Sequence, residues 1–167
     1  MSTPPLARIA VGVVVERRVA TSPWIEHVWR PVGVLAGVPE ATPWTSLPGA
    51  AGADTFYAGA AEVELYRSET TNYRDNLASG QPSLWVVLRP TGGDPPFSVV
   101  RVTADPAEGE GFTETATDLV EAVSMPEPVL EAVAAFVAEH HVERTFEKRK
   151  RDRANPEALG RRRGGSN

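Results

Sequence analysis

Ile9-Ala-Val-Gly-Val-Val-Val15 is an unbroken apolar run, rich in β-branched side chains, that stops at Glu16-Arg17-Arg18. Branching at Cβ stiffens a side chain and favours the extended backbone. A run with no polar alternation reads as a strand buried on both faces. It is too short to span a bilayer, and charges stand where a signal peptide would carry small residues, so neither a membrane span nor a secretory leader is expected. Just downstream, Trp29-Arg-Pro-Val-Gly-Val-Leu35 is a second extended run. Pro31 donates no ladder hydrogen bond, which puts this run at a sheet edge or at a strand start. Between the two, Ser22-Pro23 looks like a helix start, with Ser as cap and Pro in the first position, leading into a single turn over residues 24–27.

Further out, residues 37–54 hold Pro39, Pro43, Pro48, Gly37, Gly49 and Gly52 and predict a long loop. Residues 55–66 alternate, with Tyr57, Val63 and Leu65 on one face and Glu62 and Glu64 on the other. Residues 68–79 read as a short helix capped by Ser68 and stopped at Gly80. Leu84-Trp-Val-Val-Leu88 has a central-strand pattern, and the Pro- and Gly-rich residues 90–96 turn it into a second strand over 97–103. Asp105-Pro106-Ala107-Glu108 opens another helix, with Asp105 as cap, Pro in the first position and Glu108 placed to close a capping box, and Gly109 and Gly111 keep it short. Residues 119–123 suggest one more strand. Residues 128–141 give the clearest helix, with Val129, Leu130, Val133, Phe136 and Val137 on one face and Glu131 and Glu139 opposite. The expected fold is α+β: a mostly antiparallel sheet of five or six strands, one main packed helix and a basic C-terminal arm.

Charge divides the chain. Residues 144–167 carry nine Arg or Lys against three acids, a balance of +6, whereas residues 1–143 carry eight Arg against nineteen acids, a balance of −11. This predicts one globular domain over 1–143 and a basic arm over 144–167. There is no cysteine, which excludes disulfides, thiolate metal sites and a cysteine nucleophile. A soluble cytoplasmic protein is expected.

Two regions stand out as contact surfaces. In the arm, Lys148, Arg149, Lys150, Arg151 and Arg153 crowd together, with Phe146 and Leu159 as apolar anchors. The arm reads either as a partly disordered, solvated tail or as a docking segment; a solvated tail needs no anchors, so these favour docking on an acidic protein surface. Nucleic acid is the alternative partner, but no aromatic residues interleave with the cations, and the acidic body repels phosphate. In the body, Trp24, Trp29 and Trp44 lie close together in sequence, and Trp29 adjoins Arg30. They read either as packing over the open end of the sheet or, for Trp24, Trp29 and Arg30, as a partner-binding face. His140 and His141 suit a helix C-terminus. Being adjacent they point about 100° apart, which suits a shared ion poorly. No nucleophile elbow, P-loop or dinucleotide fingerprint is present, and no carboxylate pair declares an acid and a base, so no catalytic residue, metal or cofactor is expected.

Several stretches resemble one family: Gly12-Val-Val-Val-Glu-Arg17, Ser22-Pro-Trp-Ile-Glu-His-Val-Trp-Arg-Pro-Val32, Tyr57-Ala-Gly59 with Glu62-Val-Glu-Leu65, Glu69-Thr-Thr-Asn-Tyr-Arg74, Pro82-Ser-Leu-Trp-Val-Val-Leu-Arg89, and Glu147-Lys-Arg-Lys-Arg-Asp-Arg-Ala-Asn-Pro-Glu-Ala-Leu-Gly160. They are similar to domain-of-unknown-function family 3305, short bacterial proteins often encoded beside formate dehydrogenase and its accessory genes. The resemblance brings no catalytic residues. It implies a setting, namely assembly, maturation or partner service for a molybdenum- or tungsten-dependent formate dehydrogenase, with that enzyme or one of its accessory proteins as partner. Taken together with the lack of a catalytic motif, the expected function is that of a non-enzymatic accessory protein. Some relatives carry a label for molybdopterin-guanine dinucleotide synthesis. This chain lacks the Gly-rich loop and the doubly wound βαβ pattern such a nucleotidyltransferase needs, so that activity is not expected of it.

Overall fold

The computed structural model describes residues 3–115 and 117–141. The basic arm, with Phe146, Lys148, Arg149, Lys150, Arg151, Arg153 and Leu159, lies outside the described residues.

Among the described residues seven strands form two antiparallel sheets instead of the single sheet expected, and one short strand falls inside residues 37–54, expected to be a loop. Strands β1 (Ala7–Val19), β2 (His27–Ala36), β3 (Thr45–Leu47) and β4 (Ala53–Leu65) make the first, in the order β2-β1-β4-β3. Strands β5 (Ser83–Pro90), β6 (Phe97–Thr103) and β7 (Leu119–Ser124) make the second, in the order β6-β5-β7. The expected hairpin over β5 and β6 is present, and β5 is the central strand of its sheet. β4 runs beside β6, and β2 beside β7, without a shared ladder. The sheets therefore close on each other along both flanks. Sequence periodicity specifies strands but not which edges join, so the split was not legible.

β1 is central, and Val11, Val13 and Val15 on its inner face are fully buried. On its outer face Gly12 is buried and Val14 half-buried, so two-sided burial holds over the middle of the run. What covers Gly12 is the connection leaving β2. It crosses the outer face as a strap to reach β3 on the far side of the sheet, tied down where the Gly37 amide donates to the Ala10 carbonyl at 3.0 Å. A Cβ at position 12 would stand 3.0 Å from both Pro39 Cδ and Tyr57 Cε1, so the strap can lie this close only over glycine.

β4 corrects one expectation. Val13 pairs with Gly59 but Val14 pairs with Tyr57, leaving Ala58 bulged. A bulge shifts the alternation by one residue. Val63 and Leu65 point into the core, whereas Tyr57 faces outward, buried between Gly12 and the strap. Pro31 lies in β2, an edge strand as expected, beside a second bulge in the pairing with β1.

Helix α1 (Thr70–Leu77) starts after a 3-10 turn over Arg67–Glu69. Glu69, not Ser68, stands at its cap position, and it makes no side-chain cap bond. Helix α2 (Pro106–Phe112) has the expected cap, Asp105 accepting from the amides of Ala107 and Glu108. Glu108 does not close a capping box; its carboxylate takes Arg101 at 2.9 Å. Helix α3, over residues 127–141, buries Val129, Val133 and Phe136 in the common core with Leu65, Tyr73 and Leu84.

Candidate functional site

β1 and β2 stay paired out to Val19 and His27. The chain then reverses over residues 20–26, closed by the Ala20 amide donating to the Glu26 carbonyl at 3.1 Å. Ser22 does cap, its hydroxyl accepting from the Trp24 amide at 3.2 Å, but it caps a hairpin turn and not a helix. The ladder decides this, because β2 must return antiparallel to β1 immediately.

The result is a finger whose apolar residues face water. Trp24 is 90 % exposed, Val19 77 %, Ile25 56 % and Val28 51 %. Val19 shares a ribbon face with Arg17, Trp29 and His27, while Val28 shares the other with Glu16, Arg18 and Arg30. The tip is therefore apolar on both sides. Single exposed apolar residues are ordinary; four on one projection, including a tryptophan, make a patch of the kind that marks interaction sites.

Behind the tip the two faces differ. On the inner face Trp29 meets Trp44, Phe56 and Phe97 at ring-centroid distances of 5.9, 5.9 and 5.8 Å. Arg17 lies over Trp29 and Phe56, 5.5 and 5.2 Å from their centroids, and donates to the Asp54 carboxylate at 2.7 Å. Trp44 holds φ at +74°, a costly conformation for a bulky residue. Its amide donates to the Tyr57 carbonyl and its ring packs into the cluster, so the end of the strap is pinned from two sides. On the outer face Glu16, only 8 % exposed, takes Arg18 at 2.5 Å and Arg30 at 3.7 Å. The Arg18 hydrogen bond, opposed by burial, holds its carboxyl below the ordinary range.

A second charged cluster lies at the opposite end of β4. Glu64 accepts from the Tyr66 hydroxyl and from Arg101, both at 2.8 Å, and Arg101 also reaches Glu108. The Tyr66 hydrogen bond first, and Arg101 second, lower the Glu64 pKa from the ordinary 4.5. A depressed carboxylate stabilises the fold fully above its unfolded value, and the contribution is lost as pH falls through the native value. Thermal melts from pH 7 to pH 3 are thus expected to show a midpoint falling below about pH 4.5, and Glu64→Gln is expected to flatten that fall. An unchanged acid limb in the variant would reject the assignment.

The two histidines at the end of α3 are occupied locally. His140 packs on Phe136 with centroids 4.4 Å apart, and His141 meets the Thr70 hydroxyl at 3.2 Å and Arg74 at 3.0 Å. Among the described residues no three His, Asp or Glu side chains gather as metal ligands would. Every buried side-chain nitrogen and oxygen among them has a hydrogen-bond partner.

Of the body residues singled out in the sequence, Trp24 is at the tip, Trp29 is half-buried among the aromatics, and Arg30 lies on the opposite ribbon face beside Glu16. Trp29 and Arg30, neighbours in sequence, thus do not share a surface. Val19, Ile25, Val28 and Arg18 were not foreseen. The signal was available in Val19 and Val28, two β-branched residues flanking a turn with no opposing strand to cover them.

The family model described as "Protein of unknown function (DUF3305)" matches residues 10–150, most of the chain. The chain belongs to the DUF3305 family. The match spans both sheets and the finger of this DUF3305 member. No curated protein and no solved structure matches it. Among the described residues, no helix of the DUF3305 fold here is long and apolar enough to cross a membrane.

Proposed function

We propose that this DUF3305 protein is a non-enzymatic accessory protein that serves the assembly or maturation of formate dehydrogenase, docking on a protein partner through the β1–β2 finger. The observation that carries the docking reading is the 90 % exposure of Trp24 at the tip of a paired ribbon. Burying such a ring removes about 150–250 Å² from water, worth about 4–6 kcal/mol at the usual area coefficient. Ordering and association costs oppose that gain. The ribbon is held by cross-strand pairing behind the tip, which limits the ordering cost. The formate dehydrogenase setting comes from the sequence resemblance. The basic arm, as a second contact on an acidic partner, is part of the same reading.

Deleting the gene in its host is expected to lower formate dehydrogenase activity at least tenfold, and the wild-type gene to restore it. Trp24→Asp combined with Ile25→Asp is expected not to restore it, although the purified variant should melt within about 0.5 kcal/mol of wild type, since both sites are exposed. A version ending at residue 143 is expected to recover less partner in a pull-down. Full formate dehydrogenase activity in the deletion strain would refute the proposal.

A further inference from the structure

The two cations on the finger's outer face are unequally committed. Arg18 holds Glu16 through two nitrogens, at 2.5 and 3.4 Å. Arg30 approaches the same carboxylate no closer than 3.7 Å, and its side chain is 57 % exposed. One buried acid therefore answers two guanidiniums, and Arg30 is the loosely held one, facing water. On the other face, Arg17 is matched by Asp54. The finger has one acid of its own near the tip, exposed Glu26. This arrangement stands out against a body with a balance of −11 over residues 1–143. On a body of that balance, a site that presents a loosely held cation is where an acidic partner can approach. A planar guanidinium with free donors is suited to clasp a carboxylate with two parallel hydrogen bonds.

We infer that the finger reads an apolar cleft edged by carboxylates, with Trp24 and Ile25 filling the cleft and Arg30 engaging an acid on its rim. This rests on the reading of the finger as a docking element. It adds the chemistry of the partner surface and a division of labour: apolar tip for affinity, Arg30 for selection. Both ribbon faces are apolar at the tip, which suits insertion between two walls better than contact with a flat surface.

The test places a photo-crosslinking amino acid at Ile25 in the full-length chain, expressed in the host, and identifies the crosslinked peptide. The expected adduct is a protein segment of apolar residues with Asp or Glu adjacent. Arg30→Glu is expected to cut its yield at least tenfold and Arg30→Lys far less. Reversing the identified acid to Arg is expected to restore the yield with Arg30→Glu. Melting of both variants at the wild-type midpoint separates recognition from folding. An adduct with lipid, an adduct segment without acids, a yield indifferent to Arg30→Glu, or no adduct would overturn the inference. A partner with such an acid-edged cleft that is not formate dehydrogenase or one of its accessory proteins would leave this inference standing and remove the formate dehydrogenase reading.

Discussion

Gly109→Val is expected to lower the thermal midpoint by on the order of 10 °C. A Cβ at position 109 would stand 2.3 Å from Trp85 Cγ and 2.7 Å from Trp85 Cβ. No rotamer relieves this, because the clash is with the root of the indole and not its far edge. α2 must lift off β5. Lifting it strains the Asn72–Asp105 hydrogen bond at 3.0 Å and the Arg101–Glu108 pair at 2.9 Å. Overpacking of this kind costs about 1–3 kcal/mol for a well-packed site, and more where backbone must move; at about 2–4 °C per kcal/mol for a chain of this size the midpoint shift follows. Glycine inside a helix is itself unfavourable by about 1 kcal/mol, so its presence here marks the close approach. Gly109→Val combined with Trp85→Ala should be less destabilised than the two single effects added together. Simple additivity would show that the two positions do not collide.

Asn76→Ala is expected to cost about 3 kcal/mol, and to do so without opening a large cavity. The side chain, 3 % exposed, donates to the Ser83 carbonyl at 2.8 Å and the Ala104 carbonyl at 2.9 Å, and accepts from the Ser83 amide at 3.0 Å. One amide thus ties α1 to the start of β5 and to the turn between β6 and α2. Removing it leaves three backbone groups without partners, each costing about 1–3 kcal/mol when buried, less whatever water can recover. Asn76→Asp gives a sharper test. Its carboxylate accepts but cannot donate, and it would be a buried charge facing two carbonyls. Its native pKa would be raised, so the deficit relative to wild type should be larger at pH 7 and shrink as pH falls and the acid gains a proton to donate. A deficit independent of pH would mean that the side chain turns out to solvent and that the three-way staple is not what holds α1.

Neither effect was legible in the sequence. Gly109 reads there as a helix-shortening residue, and Asn76 as one polar position in a short helix. Their weight comes from partners about seven to thirty residues away in sequence, and local propensity is silent on such contacts. The β1 strand, the β5–β6 hairpin, the Asp105 cap and α3 were legible because each depends on local features: periodicity, turn residues and capping chemistry. The tryptophans show the same boundary from the functional side. Their clustering in sequence was plain, yet Trp29 and Trp44 join the aromatic cluster with Phe56 and Phe97 while Trp24 faces water, and only the pairing of β1 with β2 separates these fates.

The sequence by itself determined most of the strands, the three helices and the division of charge, since those follow from side-chain type and spacing along the chain; β3, inside the stretch expected to be a loop, and the hairpin turn after β1 were not among them. Tertiary structure alone decided that the described strands form two sheets, that Tyr57 faces outward, and that an apolar finger carrying the loosely held Arg30 projects from the first sheet. The reason is geometric. In a strand the side chains alternate with period two, so one bulged residue, as at Ala58, sends every later side chain to the other face. Which edges meet, and which ribbon is left uncovered, depends on contacts between segments that the local pattern does not encode.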